Sequence, residues 1–166
     1  MELPDCNQKY AVKFLNGFVS KSWLDYVSFG VLSTGGWSDG DGIINCVKSS
    51  YDLEDENFTV SLLKHEAQHA VDLKAYPEMT SADLEYRAKL VELIYSAKRN
   101  MLEQFSYEAD SSKDSNGHAM AASKIVAEFK TRTRENLTKL SIEKVQRISR
   151  DLFVQSNQEI RRKYLT

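Results

Sequence analysis

The chain has 166 residues, which is long enough to bury a core in one domain without disulfides or metal ions. Apolar residues make up 42% and charged residues 28% of the sequence, as in ordinary globular proteins. The net charge of −2 disfavours a nucleic-acid partner, and no apolar run approaches the roughly 20 residues that a membrane span needs.

The N-terminus and the two cysteines leave the compartment open. The opening "MELPDCNQKY" has no basic region followed by an apolar one, so it is not typical of a signal peptide. A cytoplasmic protein and a secreted mature form both agree with it. Cys6 and Cys46 are too few for a metal cluster, and they predict two free thiols or one disulfide.

The glycine-rich first part of the chain predicts a small mixed or antiparallel sheet. Two runs rich in β-branched and aromatic residues, "VSFGVLS" (27–33) and "GIINCVKSS" (42–50), flank the turn-forming "TGGWSDGDG" and favour a hairpin. Asp39 and Asp41 lie within this turn. They are typical of Asp-Gly turns, because a calcium loop would need further oxygen ligands.

The pattern predicts helices from residue 57 to the end of the chain, and thus a single α+β domain. The first helix starts with Thr59 as its N-cap and stops near Pro77. A second helix covers "TSADLEYRAKLVELIYSAKRNMLEQF", with Thr80 or Ser81 as its N-cap. After the polar loop "EADSSKDSNG" come a helix over "HAMAASKIVAEF" and a last one over residues 141–164. The last helix carries apolar residues on one face: Val145, Ile148 and Leu152.

The first helix contains the most informative motif, "HEAQH". His65 and His69 are four residues apart, so both imidazoles lie on one face of the helix at a spacing that suits one metal ion. Glu66 follows the first histidine and can take a proton from a zinc-bound water that attacks a carbonyl. The alternative is a solvated helix face with two isolated histidines. The apolar residues on the other side of this helix favour the metal site.

The third metal ligand has two candidates on the next helix, Glu85 and Glu92. They are seven residues apart and share nearly the same face. The first helix continues for about 9 Å beyond His69 before the chain turns. Along the second helix, Glu85 lies about 6 Å and Glu92 about 16 Å from its start. The shorter return favours Glu85 and keeps Glu92 as the alternative. Glu78 lies in the turn at Pro77, where we expect it to be solvated.

His-Glu-x-x-His followed by the glutamate of "LEYRA" resembles the gluzincin clan of zinc metallopeptidases, which includes thermolysin-like enzymes and the small minigluzincins. The resemblance covers about residues 42–95. It implies a zincin-like α+β fold, one zinc ion bound by His65, His69 and Glu85, and peptide hydrolysis in which Glu66 activates a zinc-bound water. It also implies an antiparallel edge strand that pairs with the substrate, and "GIINCV" stands where that strand is expected.

Two further roles follow from the resemblance. Thermolysin-like enzymes carry an aspartate four residues after the glutamate ligand to orient a histidine, but this position is Lys89 here. Asp72, seven residues after His65 and on its face, is the candidate for that contact. These enzymes also use a downstream histidine to stabilise the oxyanion. His118, which follows "DSNG" and opens a helix, is the candidate, and the alternative is a surface residue near a helix cap.

These patterns predict a zinc-dependent metallopeptidase that acts on a peptide or protein substrate. The alternative is a latent or inactive zincin-like module that works by binding a partner through its long amphipathic helices. Glu66 favours the enzyme, because a purely structural zinc site has no use for a base beside an open coordination position. The sequence indicates neither the cleavage specificity nor the oligomeric state.

Overall fold

A computed structural model describes residues 1–18, 35–38, 42–109 and 116–165. It shows a mixed α+β architecture in which a small sheet packs against a larger helical body, so the predicted fold class is confirmed at this level. Buried side chains from both parts form one hydrophobic core. No helix in the described ranges has both the length and the apolar character that crossing a bilayer requires.

The sheet has three described strands, β1 (Ala11–Leu15), β2 (Gly36–Ser38) and β3 (Ile43–Val47), in the order β1-β3-β2. β1 runs parallel to β3, with Ala11 opposite Ile43. β2 runs antiparallel to β3, with Trp37 opposite Asn45. The sheet is therefore mixed, which is one of the two forms that the sequence predicts.

Two predictions about this region are wrong. Gly36–Ser38 falls inside the predicted turn but forms β2. "GIINCV" was expected at the edge of the sheet, yet β3 lies between two partners. The reason is its composition, because Ile44 and Cys46 are fully buried and a nearly continuous apolar run is typical of a central strand. The predicted strand at 27–33, together with Asp39 and Asp41, lies outside the described residues.

The helical body contains one short helical turn and five longer helices among the described residues. They are α1 (Glu56–Thr59), α2 (Leu63–Ala75), α3 (Ser81–Tyr95), α4 (Met101–Glu108), α5 (Gly117–Arg132) and α6 (Ile142–Tyr164). Hydroxyl side chains cap two of them: Thr80 accepts from the backbone N–H of Asp83, and Ser141 accepts from that of Lys144. α2 ends just before Pro77, as predicted.

Thr59 is not the N-cap of the metal-motif helix. It ends the short α1, whose N-cap is Asp55, and the chain turns at residues 60–62 before α2 begins. The predicted second helix is also too long, because the chain leaves the helix at residues 96–100 and starts again as α4. Glu56 explains this break, since its carboxylate accepts hydrogen bonds from the Ser96 hydroxyl and from the backbone N–H of Ala97.

α3 is the central element of the helical body. It packs against α2, α5 and α6, and every one of residues 85–94 is buried. α6 contributes Ile148 and Leu152 to the core, as its predicted apolar face requires. The ligand-bearing helix is thus held on several sides by its neighbours.

The two cysteines are free thiols. Cys46 is buried in β3, and Cys6 is partly buried near the N-terminus. Burial raises the pKa of both thiols, so both are held in the neutral form.

Candidate metal centre

Two neighbouring helices bring the predicted metal ligands together. His65 and His69 lie on successive turns of α2, and Glu85 lies on α3. The helices are joined by the turn at residues 76–80, so α3 folds back along α2 and the second turn of α3 meets the histidines. Glu78 in this turn is exposed, as predicted.

The three side chains converge on one point. The Nε2 atoms of His65 and His69 are 2.8 Å apart. Glu85 Oε2 lies 3.4 Å from His65 Nε2, and Glu85 Oε1 lies 3.4 Å from His69 Nε2. Ligand atoms of a tetrahedral zinc site lie about 3.3 Å apart, because each is about 2.0–2.2 Å from the metal. This group could therefore hold a metal ion.

Burial and charge also fit a cation. His65 and Glu85 are each only 8% exposed. Within the described chain, Glu85 Oε2 is buried without an aligned hydrogen-bond partner. Such an oxygen is costly to bury unless something satisfies it. An N–H donor turned toward Oε2, or a metal ion bound between the two imidazoles and the carboxylate, would do so.

Glu92 contacts the other side of the same site. Its Oε1 lies 2.8 Å from His65 Nδ1, and the carboxylate is almost fully buried. The structure therefore brings Glu85 to the Nε2 atoms and Glu92 to the outer nitrogen of His65. A carboxylate on the outer nitrogen fixes the ring and the tautomer of a metal-binding histidine.

Asp72 does not make the contact with His65 that the sequence analysis assigned to it. Its Oδ2 accepts a hydrogen bond of 2.8 Å from Arg87 Nε, and both side chains are buried. Asp72 lies on the same face of α2 as His65, but its carboxylate is paired with Arg87. Glu92 makes the predicted kind of contact instead. The signal in the sequence was its spacing of seven residues from Glu85 on one helix.

The pKa values at the site show how strongly it favours positive charge. Burial lowers the pKa of His65, but hydrogen bonds to Glu85 and Glu92 outweigh this effect and raise it to about 10. Burial raises the pKa of Glu85, but contacts with His118, His65 and His69 hold it well below its usual range. Both shifts arise because buried carboxylates surround the imidazoles. A divalent cation satisfies these carboxylates as well as a proton does.

Glu66 lies beside this group and turns toward the sheet. Its Oε2 accepts a hydrogen bond of 3.0 Å from the backbone N–H of Ser38 in β2. Burial raises the pKa of Glu66, while charge on His65 and His69 opposes the shift. β2, and not β3, is thus the strand next to the residue predicted to act as the base.

His118 also reaches the site. It lies in the first turn of α5, where its Nδ1 is 2.9 Å from Glu85 Oε2. Its ring is nearly parallel to that of His65, with 6.4 Å between the centroids. The side chain is 55% exposed, so it stands at the border between the buried ligands and solvent. All three histidines of the chain therefore meet here.

Comparisons of this chain with protein-family models, curated proteins and solved structures find no match. The functional argument therefore depends on the residues of the site and their chemistry. Those residues provide two imidazoles, two buried carboxylates, a third carboxylate that accepts a hydrogen bond from the neighbouring sheet, and an exposed imidazole.

Proposed function

We propose that this chain is a zinc-dependent metallopeptidase of the gluzincin type, with a zincin-like fold. The observation that supports it most strongly is the convergence of His65, His69 and Glu85 from two helices, with Glu66 on the same helix as the histidines. Three protein ligands are the number found in catalytic zinc sites, which keep one position open for water or substrate. The substrate class is a peptide or protein.

In this proposal His65, His69 and Glu85 hold the zinc ion. Zinc, when bound, polarises the carbonyl of the scissile bond and lowers the pKa of a water molecule. Glu92 keeps the His65 ring oriented through its Nδ1. The burial of both partners makes this orientation rigid.

Glu66 acts as general base and then as general acid. The N–H of Ser38 holds one oxygen of its carboxylate, which limits the rotation of the group. The raised pKa of Glu66 increases its affinity for a proton. Glu66 therefore takes a proton from the attacking water and gives it to the amine that leaves. His118 is the candidate donor to the oxyanion, because its ring is partly exposed beside Glu85.

Substitution of Glu66 tests this function most directly. Glu66→Gln keeps the size of the side chain and removes the base, so hydrolysis of a mixture of quenched fluorescent peptides should fall about 10²- to 10⁴-fold. Zinc content, measured by mass spectrometry on protein purified without added metal or chelator, should remain at one per chain. Glu78→Gln is the matched control, because Glu78 is exposed in the turn between the same helices.

Three outcomes contradict the proposal in different ways. Cleavage that survives in Glu66→Gln would show that another group activates the water. Zinc binding without hydrolysis in the unaltered chain would favour the alternative, a zincin-like module that works by binding a partner. A chain that takes up no zinc would remove the metallopeptidase altogether.

A further inference from the structure

The contact between His118 and Glu85 joins a residue outside the metal-binding group to one of the proposed ligands. We propose that His118 is a positioning residue for Glu85: its Nδ1–H holds Oε2 and leaves Oε1 for the metal. This role differs from that of an oxyanion donor. It rests on the proposed metal site but does not require that the chain cleaves peptides.

The positions of the atoms support this assignment. His118 Nδ1 lies 2.9 Å from Glu85 Oε2, which is the distance of a hydrogen bond. Oε2 is buried, and no side chain in the described ranges donates an aligned hydrogen bond to it. His118 is 55% exposed, so a modest rotation of its ring can bring the N–H into line. Each carboxylate oxygen lies 3.4 Å from one histidine Nε2, Oε2 from His65 and Oε1 from His69, and His118 approaches Oε2.

The backbone around His118 is built to make this contact. Gly117 begins α5 against the start of α3, where a Cβ atom on it would lie 2.3 Å from Ser81 Oγ and 3.1 Å from the carbonyl carbon of Ser81. A glycine is therefore needed for the two helix N-termini to approach this closely. Asn116 fixes the first turn of α5, because its side chain accepts hydrogen bonds from the backbone N–H of His118.

The approach of the two helices explains why His118 meets Glu85. Ser81, which touches Gly117, lies four residues before Glu85 and so one turn away on the same face of α3. His118 is the next residue after Gly117 and faces this turn. The neutral imidazole carries one N–H, so assigning it to Nδ1 leaves Nε2 as an acceptor. In this tautomer the neutral ring has no second N–H for an oxyanion, so the positioning role and the oxyanion role of His118 are alternatives.

Zinc affinity provides the first test. Competition with a chromophoric zinc chelator gives the dissociation constant for the unaltered chain and for His118→Ala, His118→Asn and Met120→Ala. We expect His118→Ala to bind zinc about 10- to 100-fold more weakly, because the loss of an outer partner of a ligand has this effect. His118→Asn should recover most of the affinity through its amide N–H. Met120→Ala is the control, since Met120 is partly exposed on the same helix.

Cobalt replacement separates positioning from a general loss of structure. Co²⁺ in the site absorbs visible light according to the arrangement of its ligands. The spectrum should change in His118→Ala and return in His118→Asn, while thermal unfolding shows that both remain folded. Gly117→Ala should weaken zinc binding although it removes no polar group, because it forces α5 away from α3.

The outcomes separate this role from its rivals. Unchanged zinc affinity and an unchanged cobalt spectrum in His118→Ala would overturn the positioning role, and a loss of hydrolysis alone would favour the oxyanion donor. Weak binding in His118→Ala that His118→Asn does not restore would also overturn it. A chain that binds zinc but cleaves no peptide would contradict the proposed function and leave this inference supported if the affinities follow the pattern.

Discussion

Two clusters of buried charged residues lie where α2 meets α3, the first of them extending to α6, and their groups are paired differently. In one, Arg87 donates to Asp72 at 2.8 Å and to Ser156 and Asn157 at 2.7 Å. Its guanidinium also lies 4.3 Å from the centre of the Phe153 ring. We refer to these residues as the arginine cluster. Each group in it has a partner of opposite charge or complementary polarity.

In the other cluster, the metal centre, imidazoles also pair with carboxylates, but the pairing is incomplete. The ring nitrogens of His65 and His69 face each other at 2.8 Å, and one oxygen of Glu85 is buried without an aligned donor among the described residues. The arginine cluster is complete with protein groups alone, whereas the metal centre keeps an unsatisfied oxygen and a close pair of ring nitrogens, which a cation could satisfy. The comparison teaches that burial of charge does not by itself mark a function, but incomplete pairing of buried charge does.

The largest effect on stability should come from breaking the arginine cluster. Asp72→Ala leaves a buried guanidinium without its carboxylate, which costs about 3–5 kcal/mol of unfolding free energy. Urea denaturation measures this loss. The folded fraction of the variant should still bind one zinc ion, and Asp151→Ala, an exposed change on α6, should stay within about 0.5 kcal/mol of the unaltered chain. If Asp72→Ala instead lost zinc and kept its stability, the arginine cluster would serve metal binding and not stability.

Metal removal should have the next largest effect on the free energy of unfolding. This effect should depend on the metal centre alone. Free zinc at 100 times its dissociation constant should stabilise the folded chain by about 2.7 kcal/mol relative to chelator-treated protein. Glu85→Ala should abolish this difference. Thermal unfolding with and without zinc provides the measurement. An equal stabilisation in Glu85→Ala would mean that zinc binds elsewhere in the chain.

Substitution of Glu92 should have a smaller effect, which is confined to the affinity for zinc. Glu92→Gln removes the carboxylate on His65 Nδ1 but keeps an amide that can still accept a hydrogen bond. Zinc should remain bound, with an affinity about 10- to 100-fold lower, as measured by chelator competition. A complete loss of zinc, together with retention in Glu85→Ala, would make Glu92 the third ligand.

The smallest effect is expected at an exposed pair that belongs to neither cluster. Hydrogen bonds from the backbone N–H of Asn57 and from Lys98 lower the pKa of Asp55 below its ordinary value. A lowered pKa in the folded state stabilises the chain above the unfolded pKa, and this gain is lost as the pH falls through the folded pKa. Asp55→Asn should therefore lower the melting temperature slightly at neutral pH but not at a pH below the folded pKa of Asp55, where the carboxyl is protonated too. An equal difference at both pH values would contradict this account.

The local part of the site could be predicted from the sequence, because it depends on the geometry of one helix. The spacing of His65 and His69 places both rings on one face whatever the rest of the fold does. Counting the rise along two joined helices favoured Glu85, and the structure brings that residue to the histidines. Because the turn between the two helices is short, the rise along each helix is enough to estimate which of their residues face each other.

The remaining contacts depend on elements that are distant in the sequence. Asp72 lies seven residues from His65 on α2, whereas Glu92 comes from α3, and the structure pairs Asp72 with Arg87 and Glu92 with His65. The break between α3 and α4 depends on Glu56, which precedes Ser96 by a long stretch of chain. The central place of β3 depends on β1, whose partner no local pattern indicates.

The sequence separation of the contacts also suggests an order of folding. His65, His69 and Glu85 lie in one helical hairpin, and such local contacts form early. The parallel pairing of Ala11 with Ile43 joins segments with a long loop between them, which is slower to close. We therefore expect His65, His69 and Glu85 to meet before β1 pairs with β3, whereas β2 pairs with β3 across a short stretch of sequence. A refolding chain would thus bring its candidate metal ligands together before its sheet is complete.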